Sequence, residues 1–267
     1  IIGENEMELD TNITAIVTGG ASGLGATVVS ALRERKVNVS VFDLSSNSVS
    51  HNPKDTHVNY IDCDVTDQDS CLSSFKSSRD RFGQEQILIN CAGINFAAKT
   101  ASIGKRDKII KTFPIDQFIK TINVNLIGTF RCASLSAAGM LELPALGDSE
   151  ERGVIINTAS IAATDGQIGQ AAYASSKAGV VGLTLPIARD LMDYGIRINT
   201  IMPGIFDTPM LAALPDNVRD AIAQNIPFPR RLGKTAEFAK LALSIINNSY
   251  LNGESIRLDG GVRLAAK

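Results

Sequence analysis

Short apolar runs rich in Val and Ile alternate with longer segments of helical period along this chain, and this alternation constrains the fold most strongly. The apolar runs are residues 13–18, 37–42, 58–61, 87–90, 154–158 and 196–201. The helical segments lie near residues 24–35, 67–82, 115–141, 170–194 and 235–247. Continuous apolar runs are typical of strands buried on both faces, as in a parallel sheet between two helix layers. The pattern predicts one domain over residues 1–267, with a doubly wound α/β fold of the Rossmann type.

The composition and charge of the chain argue against several classes of partner. The 267 residues carry 26 Lys and Arg against 28 Asp and Glu, a net charge of −2, so we expect no nucleic acid as main partner. Trp is absent and aromatic residues make up 5%, which argues against a platform for stacked bases. The longest weakly charged stretch, residues 166–188, contains Lys177, so we expect no membrane span.

Metal and disulfide sites are not expected either. The four cysteines form no CxxC pair and only two histidines are present, which argues against a zinc site. The same pattern argues against a disulfide scaffold and indicates a reducing compartment. The first residues are acidic and lack the features of a secretory or transit peptide, although an initial Ile is compatible with removal of a leader.

A glycine-rich turn separates the first predicted strand from the first predicted helix. Residues 18–25 have the spacing TGxxxGxG, with Gly19, Gly23 and Gly25 at the glycine positions. Glycines there let the backbone turn sharply and approach a pyrophosphate, which the free N–H groups of the helix N-terminus can bind. Glycine also collects in turns for steric reasons alone, but the strand–turn–helix context favours a dinucleotide site.

Asp43 follows the second predicted strand and bears on the choice of cofactor. A carboxylate there can accept hydrogen bonds from both ribose hydroxyls of an adenosine, and it repels a 2′-phosphate. Residues 44–46 are uncharged and the glycine turn contains no Lys or Arg, so NAD is favoured over NADP. A solvated aspartate at a strand end is the alternative.

The fourth predicted strand ends in Asn90, Cys91, Ala92 and Gly93. Small residues are needed where the backbone passes close to a bound nucleotide, although a tight turn explains them equally well. No histidine lies in a motif that could activate Cys91. We therefore interpret Cys91 as a small apolar residue beside the cofactor.

Ser160, Tyr173 and Lys177 form the strongest candidate for a catalytic group. Tyr173 and Lys177 are four residues apart, so their side chains lie on the same face of a predicted helix. A nearby ammonium stabilises a phenolate, and moving a tyrosine pKa from about 10 towards 7 corresponds to roughly 4 kcal/mol. Tyr173 would then serve as general acid and base, and Ser160 would hydrogen-bond the same substrate oxygen.

These motifs resemble those of the short-chain dehydrogenase/reductase family and follow its order over essentially the whole chain. They are TGxxxGxG (Gly19, Gly23, Gly25), NxAG (Asn90, Ala92, Gly93), Asn125, Ser160, YxxxK (Tyr173, Lys177) and Pro203-Gly204. Within the family, the chain is most similar to dehydrogenases of 3-hydroxyacyl-CoA and hydroxysteroid substrates. Residues 153–160, 166–173, 184–190, 251–254 and 257–260 carry that similarity. Residues 44–59 and 96–113 depart from it, which leaves the details of the substrate open.

The resemblance implies a parallel sheet of about seven strands, with NAD across the carboxyl ends of the strands. It implies that Tyr173 removes the substrate hydroxyl proton, while Lys177 holds the nicotinamide ribose and lowers the tyrosine pKa. It also implies that Ser160 orients the substrate oxygen and that Asn125 anchors a water of the proton relay. The other residues implied to contact NAD are Gly19, Ser22, Gly23, Leu24, Gly25, Asp43, Asp64, Val65, Asn90, Cys91, Ala92, Gly93, Pro203 and Thr208.

The resemblance further implies a homotetramer formed through the helices that carry Asn125 and Tyr173. It implies a location in the mitochondrial matrix, with the cytoplasm as the alternative. An NADPH-dependent 3-ketoacyl-carrier-protein reductase, or another carbonyl reductase, is a competing function that Asp43 argues against. A non-catalytic NAD-binding scaffold is a third possibility, and the intact Ser160, Tyr173 and Lys177 argue against it as the whole function.

Residues 205–228, just beyond Pro203, predict a mobile apolar lid over the nicotinamide and an acyl or steroid body. The large apolar residues at its start are Phe206, Met210, Leu211 and Leu214, the first three of which we expect to contact the substrate. The alternative is an ordinary surface helix with its apolar face on the core.

Residues 95–114 form an insertion that is locally basic. Its cations are Lys99, Lys105, Arg106, Lys108 and Lys111, against the single acid Asp107. Cations at a pocket mouth would attract the phosphates of coenzyme A, which a steroid lacks. A solvated loop with incidental charge is the alternative.

Overall fold

A parallel sheet of seven strands forms the centre of the molecule, in a computed structural model that describes residues 7–44, 55–104, 108–212 and 216–266. The strands are β1 (Thr14–Thr18), β2 (Asn38–Asp43), β3 (Val58–Asp62), β4 (Ile87–Asn90), β5 (Ala101–Ile103), β6 (Ile110–Thr112), β7 (Gly153–Thr158), β8 (Ile196–Pro203) and β9 (Ser255–Leu258). The order in the central sheet is β3-β2-β1-β4-β7-β8-β9, and every neighbouring pair is parallel. The direction of winding reverses between β1 and β4, and ligands bind at such a switch point in open α/β sheets.

Helices cover both faces of this sheet. They are α1 (Gly23–Arg33), α2 (Gln68–Phe82), α3 (Ile115–Ile122), α4 (Thr129–Met140), α5 (Ala171–Asp190), α6 (Pro209–Ala212), α7 (Asp216–Gln224) and α8 (Thr235–Ile246). Val17 faces a core shared with α1 and α8, whereas its neighbour Ile16 faces a second core shared with α2, α4 and α5. This alternation explains why the strands are continuously apolar. The predicted doubly wound α/β fold is confirmed.

The structure differs from the predicted elements in two of the helical segments. The segment 115–141 is α3 and α4 joined by one turn of π-helix, Asn123–Gly128. The segment 170–194 is α5 followed by a short 3-10 helix, Met192–Tyr194. Within the described part of the chain, no helix combines the length and the apolar character needed to cross a bilayer.

Two further differences concern strands. The strand β9 was not predicted, because its residues are all partly exposed at the sheet edge and include Arg257. The insertion 95–114 contains an antiparallel hairpin of β5 and β6, with Ile103 opposite Ile110. This hairpin lies outside the central sheet.

The glycine turn packs against the end of β4 at the switch point. Gly19 has a φ of +65°, and a Cβ added there would lie 2.6 Å from the backbone nitrogen of Ala92. A Cβ added at Gly25 would lie 2.3 Å from the carbonyl oxygen of Gly19. These approaches exclude any side chain, so the turn requires glycine at both positions.

We expect Gly25→Ala to lower the free energy of unfolding by about 1–3 kcal/mol, because the added methyl group clashes with the carbonyl oxygen of Gly19. Urea unfolding measures this change. Ser30→Ala is the matched control, since Ser30 is exposed on the same helix and is also replaced by alanine. We expect the control to shift stability by no more than about 0.5 kcal/mol. Equal effects of the two variants would contradict the packing argument.

Candidate active site

A cleft of about 1470 Å³ opens where the carboxyl ends of the parallel strands meet. The predicted site residues that line it are Gly19, Ser22, Gly23, Leu24, Gly25, Asp43, Asp64, Val65, Cys91, Ala92, Gly93, Ser160, Tyr173, Lys177, Pro203, Phe206, Thr208 and Leu211. The fold therefore gathers residues from separate strand ends and loops into one cavity.

The glycine turn presents the start of α1 to the cleft. Ser22 is the N-cap residue, and its side chain makes no capping hydrogen bond in the described structure. Gly23, Leu24 and Gly25, the first three residues of the helix, line the cleft. Backbone N–H groups at a helix N-terminus bind phosphate, so this arrangement fits the pyrophosphate of a dinucleotide.

Asp43 is held beside the glycine turn by two hydrogen bonds. Its Oδ2 accepts from the backbone N–H of Ala21 at 3.0 Å, and its Oδ1 accepts from that of Leu44 at 2.9 Å. Asp64 and Val65 form the adjoining wall after β3. A carboxylate held at the end of the second strand fits the ribose hydroxyls of an adenosine.

Tyr173, Lys177 and Ser160 converge at the end of β7. Tyr173 and Lys177 project from α5, with the Lys177 Nζ 5.9 Å from the centre of the tyrosine ring. The Lys177 Nζ donates a hydrogen bond to the carbonyl oxygen of Thr158 at 2.8 Å. Ser160 begins a 3-10 turn, and its Oγ accepts from the backbone N–H of Ala162 at 3.1 Å.

Burial controls the protonation of this group. It raises the pKa of the Tyr173 phenol, although a hydrogen bond with Ser160 acts in the opposite direction. Burial lowers the pKa of Lys177 to about 8. Burial thus raises the tyrosine pKa in this structure, contrary to the predicted lowering by Lys177, whose ammonium donates to the Thr158 carbonyl.

Asn125 lies within the π-helix and does not line the cleft. Its Oδ1 accepts from the backbone N–H of Ile94 at 2.8 Å, and its Nδ2 donates to the Ile94 carbonyl at 2.9 Å. The Nδ2 also donates to Ser176 Oγ at 2.9 Å. Asn125 therefore joins the chain after β4 to the α5 residue that precedes Lys177, and its role in a water relay stays a prediction.

Asn90 was predicted to contact the cofactor, but its side chain lies in the core. Its Nδ2 donates to Asn157 Oδ1 at 3.0 Å, and its Oδ1 accepts from Thr18 Oγ1 at 3.3 Å. These bonds join β4 to β7 and β1. Asn90 therefore stabilises the sheet below the cleft, and its side chain does not line the cavity.

Cys91 lies beside the catalytic group as a thiol. Thr158 Oγ1 donates to its sulfur at 3.5 Å. Burial raises the pKa of Cys91 to about 11, so little thiolate is present near neutral pH. This agrees with its interpretation as a small apolar residue.

The segment beyond β8 supplies part of the cleft wall. The ring of Phe206 is buried against Phe238, with ring centroids 6.5 Å apart, and it also lines the cleft. Leu211 lines the cleft too. The side chain of Met210 and all of Leu214 lie outside the described residues, and the mobility of this lid stays a prediction.

The basic insertion is only partly described. Lys105, Arg106 and Asp107 lie outside the described residues. None of Lys99, Lys108 and Lys111, which are described, lines the cleft. The attraction of coenzyme A by this cluster stays a prediction.

Sequence patterns did not single out several residues that line the cleft, among them Asp116, Ile119 and Lys120 on α3. Residues 262–265, near the end of the chain, line it together with Gln167 and Gln170. Hydrogen bonds hold the two segments together, since Gln167 Nε2 donates to the Ala265 carbonyl at 3.0 Å and the Ile168 N–H to that of Ala266 at 3.0 Å. Nothing in the local sequence marks these residues, because only the tertiary fold brings them together.

Comparisons with known proteins agree with this site. The model of the short chain dehydrogenase family matches residues 13–219. A 3-hydroxyacyl-CoA dehydrogenase type-2 of Drosophila melanogaster is 46% identical over 255 residues, which cover 95% of this chain and 98% of that protein. The crystal structure of a 3-hydroxyacyl-CoA dehydrogenase type-2 from Mycobacterium avium matches with a TM-score of 0.89 and 37% identity, over 98% of this chain and all of that chain.

A 3-oxoacyl-(acyl-carrier-protein) reductase of Vibrio harveyi is 32% identical over 265 residues, which cover 96% of this chain and 99% of that protein. The fold, the cleft and these similarities define an oxidoreductase with a nicotinamide cofactor. The chain belongs to the short-chain dehydrogenase family.

Proposed function

We propose that this enzyme interconverts 3-hydroxyacyl-CoA and 3-ketoacyl-CoA thioesters with NAD, and that it also accepts hydroxysteroids. The observation that carries the proposal is one cleft that holds Tyr173, Ser160 and Lys177 at one end and Asp43 at the other. The Drosophila melanogaster relative, 46% identical, is named for the 3-hydroxyacyl-CoA reaction, whereas the carrier-protein reductase is 32% identical. Asp43 supports NAD over NADP because it would repel a 2′-phosphate.

NAD, when bound, supplies the hydride acceptor for the oxidation. The glycine turn and Asp43 would hold its pyrophosphate and adenosine ribose. At the other end of the cleft, the Tyr173 Oη takes the proton from the substrate hydroxyl in oxidation, and returns it to the ketone oxygen in reduction. Ser160 Oγ hydrogen-bonds the same oxygen. The Lys177 ammonium, held by the Thr158 carbonyl, would bind the nicotinamide ribose and stabilise negative charge on Tyr173.

The raised pKa of Tyr173 favours its neutral phenol near neutral pH. That form can donate a proton to a ketone in the reduction. Oxidation requires the phenolate and therefore gains from rising pH.

We expect Tyr173→Phe to lower turnover by at least about 10²-fold while folding and NAD binding stay close to those of the wild type, because only the proton donor is lost. Steady-state kinetics and fluorescence titration with NADH measure the two effects. Tyr194→Phe is the matched control, since Tyr194 is exposed on the 3-10 helix after α5. Retention of most activity by Tyr173→Phe would overturn the mechanism.

Asp43 should set the choice of cofactor. We expect kcat/KM with NAD to exceed that with NADP by more than about tenfold, which corresponds to roughly 1.4 kcal/mol. Asp43→Ala combined with Leu44→Arg should narrow or reverse this preference, because it removes the repulsion and adds a cation. Asp62→Ala is the matched control: Asp62 lies opposite Asp43 on β3 and does not line the cleft. Equal use of both cofactors by the wild type would contradict this role of Asp43.

A substrate panel tests the proposed reaction. With NADH, we expect acetoacetyl-CoA to be reduced with a kcat/KM at least about tenfold above that for a ketosteroid, since the relatives are named for the acyl-CoA substrate. If the enzyme is instead a 3-ketoacyl-carrier-protein reductase, NADPH and an acetoacetyl-carrier protein should give the faster reaction. Absence of turnover with acetoacetyl-CoA and either cofactor would refute the proposed substrate.

We also propose a homotetramer formed through α4 and α5. Large apolar side chains are exposed on this side of the molecule: Ile127 in the π-helix, Phe130 on α4 and Leu185 on α5. Burial of these exposed side chains between copies of the chain would stabilise such an assembly, which supports this proposal.

A further inference from the structure

Arg257, on β9, joins three separate segments of the chain at the edge of the cleft. Its Nη2 donates to Asp165 Oδ2 at 2.7 Å, and its Nη1 donates to Thr164 Oγ1 at 2.7 Å. Its Nε donates to Asp259 Oδ2 at 2.8 Å, and its Nη2 also donates to the Val262 carbonyl at 3.1 Å. A planar guanidinium can make all four bonds at once, whereas a lysine ammonium cannot reproduce the geometry.

These ion pairs are largely shielded from water. The exposed fractions of the side chains are 23% for Arg257, 15% for Asp165 and 8% for Asp259. The hydrogen bond from Arg257 holds the pKa of Asp165 below its usual range. Charge-assisted hydrogen bonds in such a setting hold their partners more firmly than exposed pairs do.

The two loop partners lie between the catalytic residues along the chain. Asp165 and Thr164 belong to the connection that leaves Ser160 and returns to Tyr173 on α5. Ile161, directly after Ser160, packs with Val262 and Ile226 in a small separate core. The position of Ser160 relative to Tyr173 therefore depends on how this connection is anchored.

Val262, another partner of Arg257, belongs to the wall of the cleft. Residues 262–265 line the cavity, and Arg257 holds the first of them by its carbonyl. Asp259 also packs against Gly204, where an added Cβ would lie 2.7 Å from the Asp259 Cβ. One guanidinium thus ties the catalytic loop, the wall and the end of the sheet together.

We propose that Arg257 is a positioning residue, which aligns Ser160 with Tyr173 through the loop 161–170 and fixes residues 262–265 as the substrate wall. This inference rests on the proposed dehydrogenase function for its kinetic test. Misplacement of a reacting group by about 1 Å can cost on the order of 10²-fold in rate, so loss of such an anchor affects catalysis without direct contact with the substrate.

Arg257→Lys and Asp165→Asn test the proposal from the two sides of the same contact. We expect each to lower kcat for ketone reduction by at least about tenfold, while the Kd for NADH stays within about twofold, because the glycine turn and Asp43 lie on other strands. We expect the KM for the ketone to rise several-fold, since residues 262–265 lose their anchor.

Arg197→Lys is the matched control. Arg197 is a buried arginine on β8 that pairs with Glu151 and donates to the carbonyls of Ile245, Ile246 and Leu251. It lies at the amino end of its strand, away from the cleft. We expect this variant to unfold at lower urea while kcat of the folded enzyme stays within about twofold of the wild type.

Hydrogen exchange gives a readout that does not depend on turnover. We expect faster exchange at residues 161–170 and 262–266 in Arg257→Lys and in Asp165→Asn, but not in Arg197→Lys. If Arg257→Lys does not fold, Asp165→Asn decides by the same criteria. The proposal is overturned if the folded variants keep kcat within about twofold, if exchange in both segments is unchanged, or if Arg197→Lys loses as much kcat.

These experiments distinguish a failure of the proposed dehydrogenase function from a failure of the proposed role of Arg257. A wild type that reduces another ketone in place of acyl-CoA thioesters refutes the proposed substrate, and the kcat comparison is then made with that ketone. A wild type with no turnover refutes the proposed function, and hydrogen exchange then decides whether Arg257 anchors the loop and the wall.

Discussion

The close contact of two backbones at the switch point is the constraint on which the rest of the structure depends. Gly19 approaches the chain at Ala92, and Gly25 approaches the carbonyl of Gly19, at distances that leave no room for a side chain. This packing brings the start of α1 against the end of β4. The same backbone then passes Gly93, where an added Cβ would lie 3.4 Å from the Lys177 Nζ. One glycine-lined path therefore connects the candidate pyrophosphate site with the catalytic lysine.

The end of β7 organises the catalytic group in a different way. The Thr158 carbonyl accepts the bond from Lys177, and Ser160 follows two residues later. A buried ammonium is costly unless it is hydrogen-bonded, and burial moves the pKa of Lys177 to about 8. That value leaves most of the group charged at pH 7, so a positive charge persists beside Tyr173. The same burial raises the pKa of the Tyr173 phenol.

Particular elements show where sequence patterns succeed and where they fail. The strands β1 and β4 were predicted because burial on both faces makes them continuously apolar. The edge strand β9 is partly exposed along its length, so it lacks that signal. Helical periodicity cannot distinguish the π-helix around Asn125 from an α-helix, and it cannot show the hydrogen bonds of Asn125 with the distant Ile94. Periodicity also cannot tell that Asn90 turns into the core, since its partners lie on β1 and β7.

The sequence by itself determined the fold class, the glycine turn and the spacing of Tyr173 and Lys177. Each of these depends on residues close together in the chain: a buried strand, a turn into a helix, or two positions one helical turn apart. The tertiary structure alone decided the direction of the Lys177 ammonium, the sign of the pKa change at Tyr173 and the wall formed by residues 262–265. It also decided the contacts of Arg257 with Thr164 and Asp165, which lie about 90 positions earlier in the chain. Burial and long-range hydrogen bonds set these features, and neither is encoded in a local pattern.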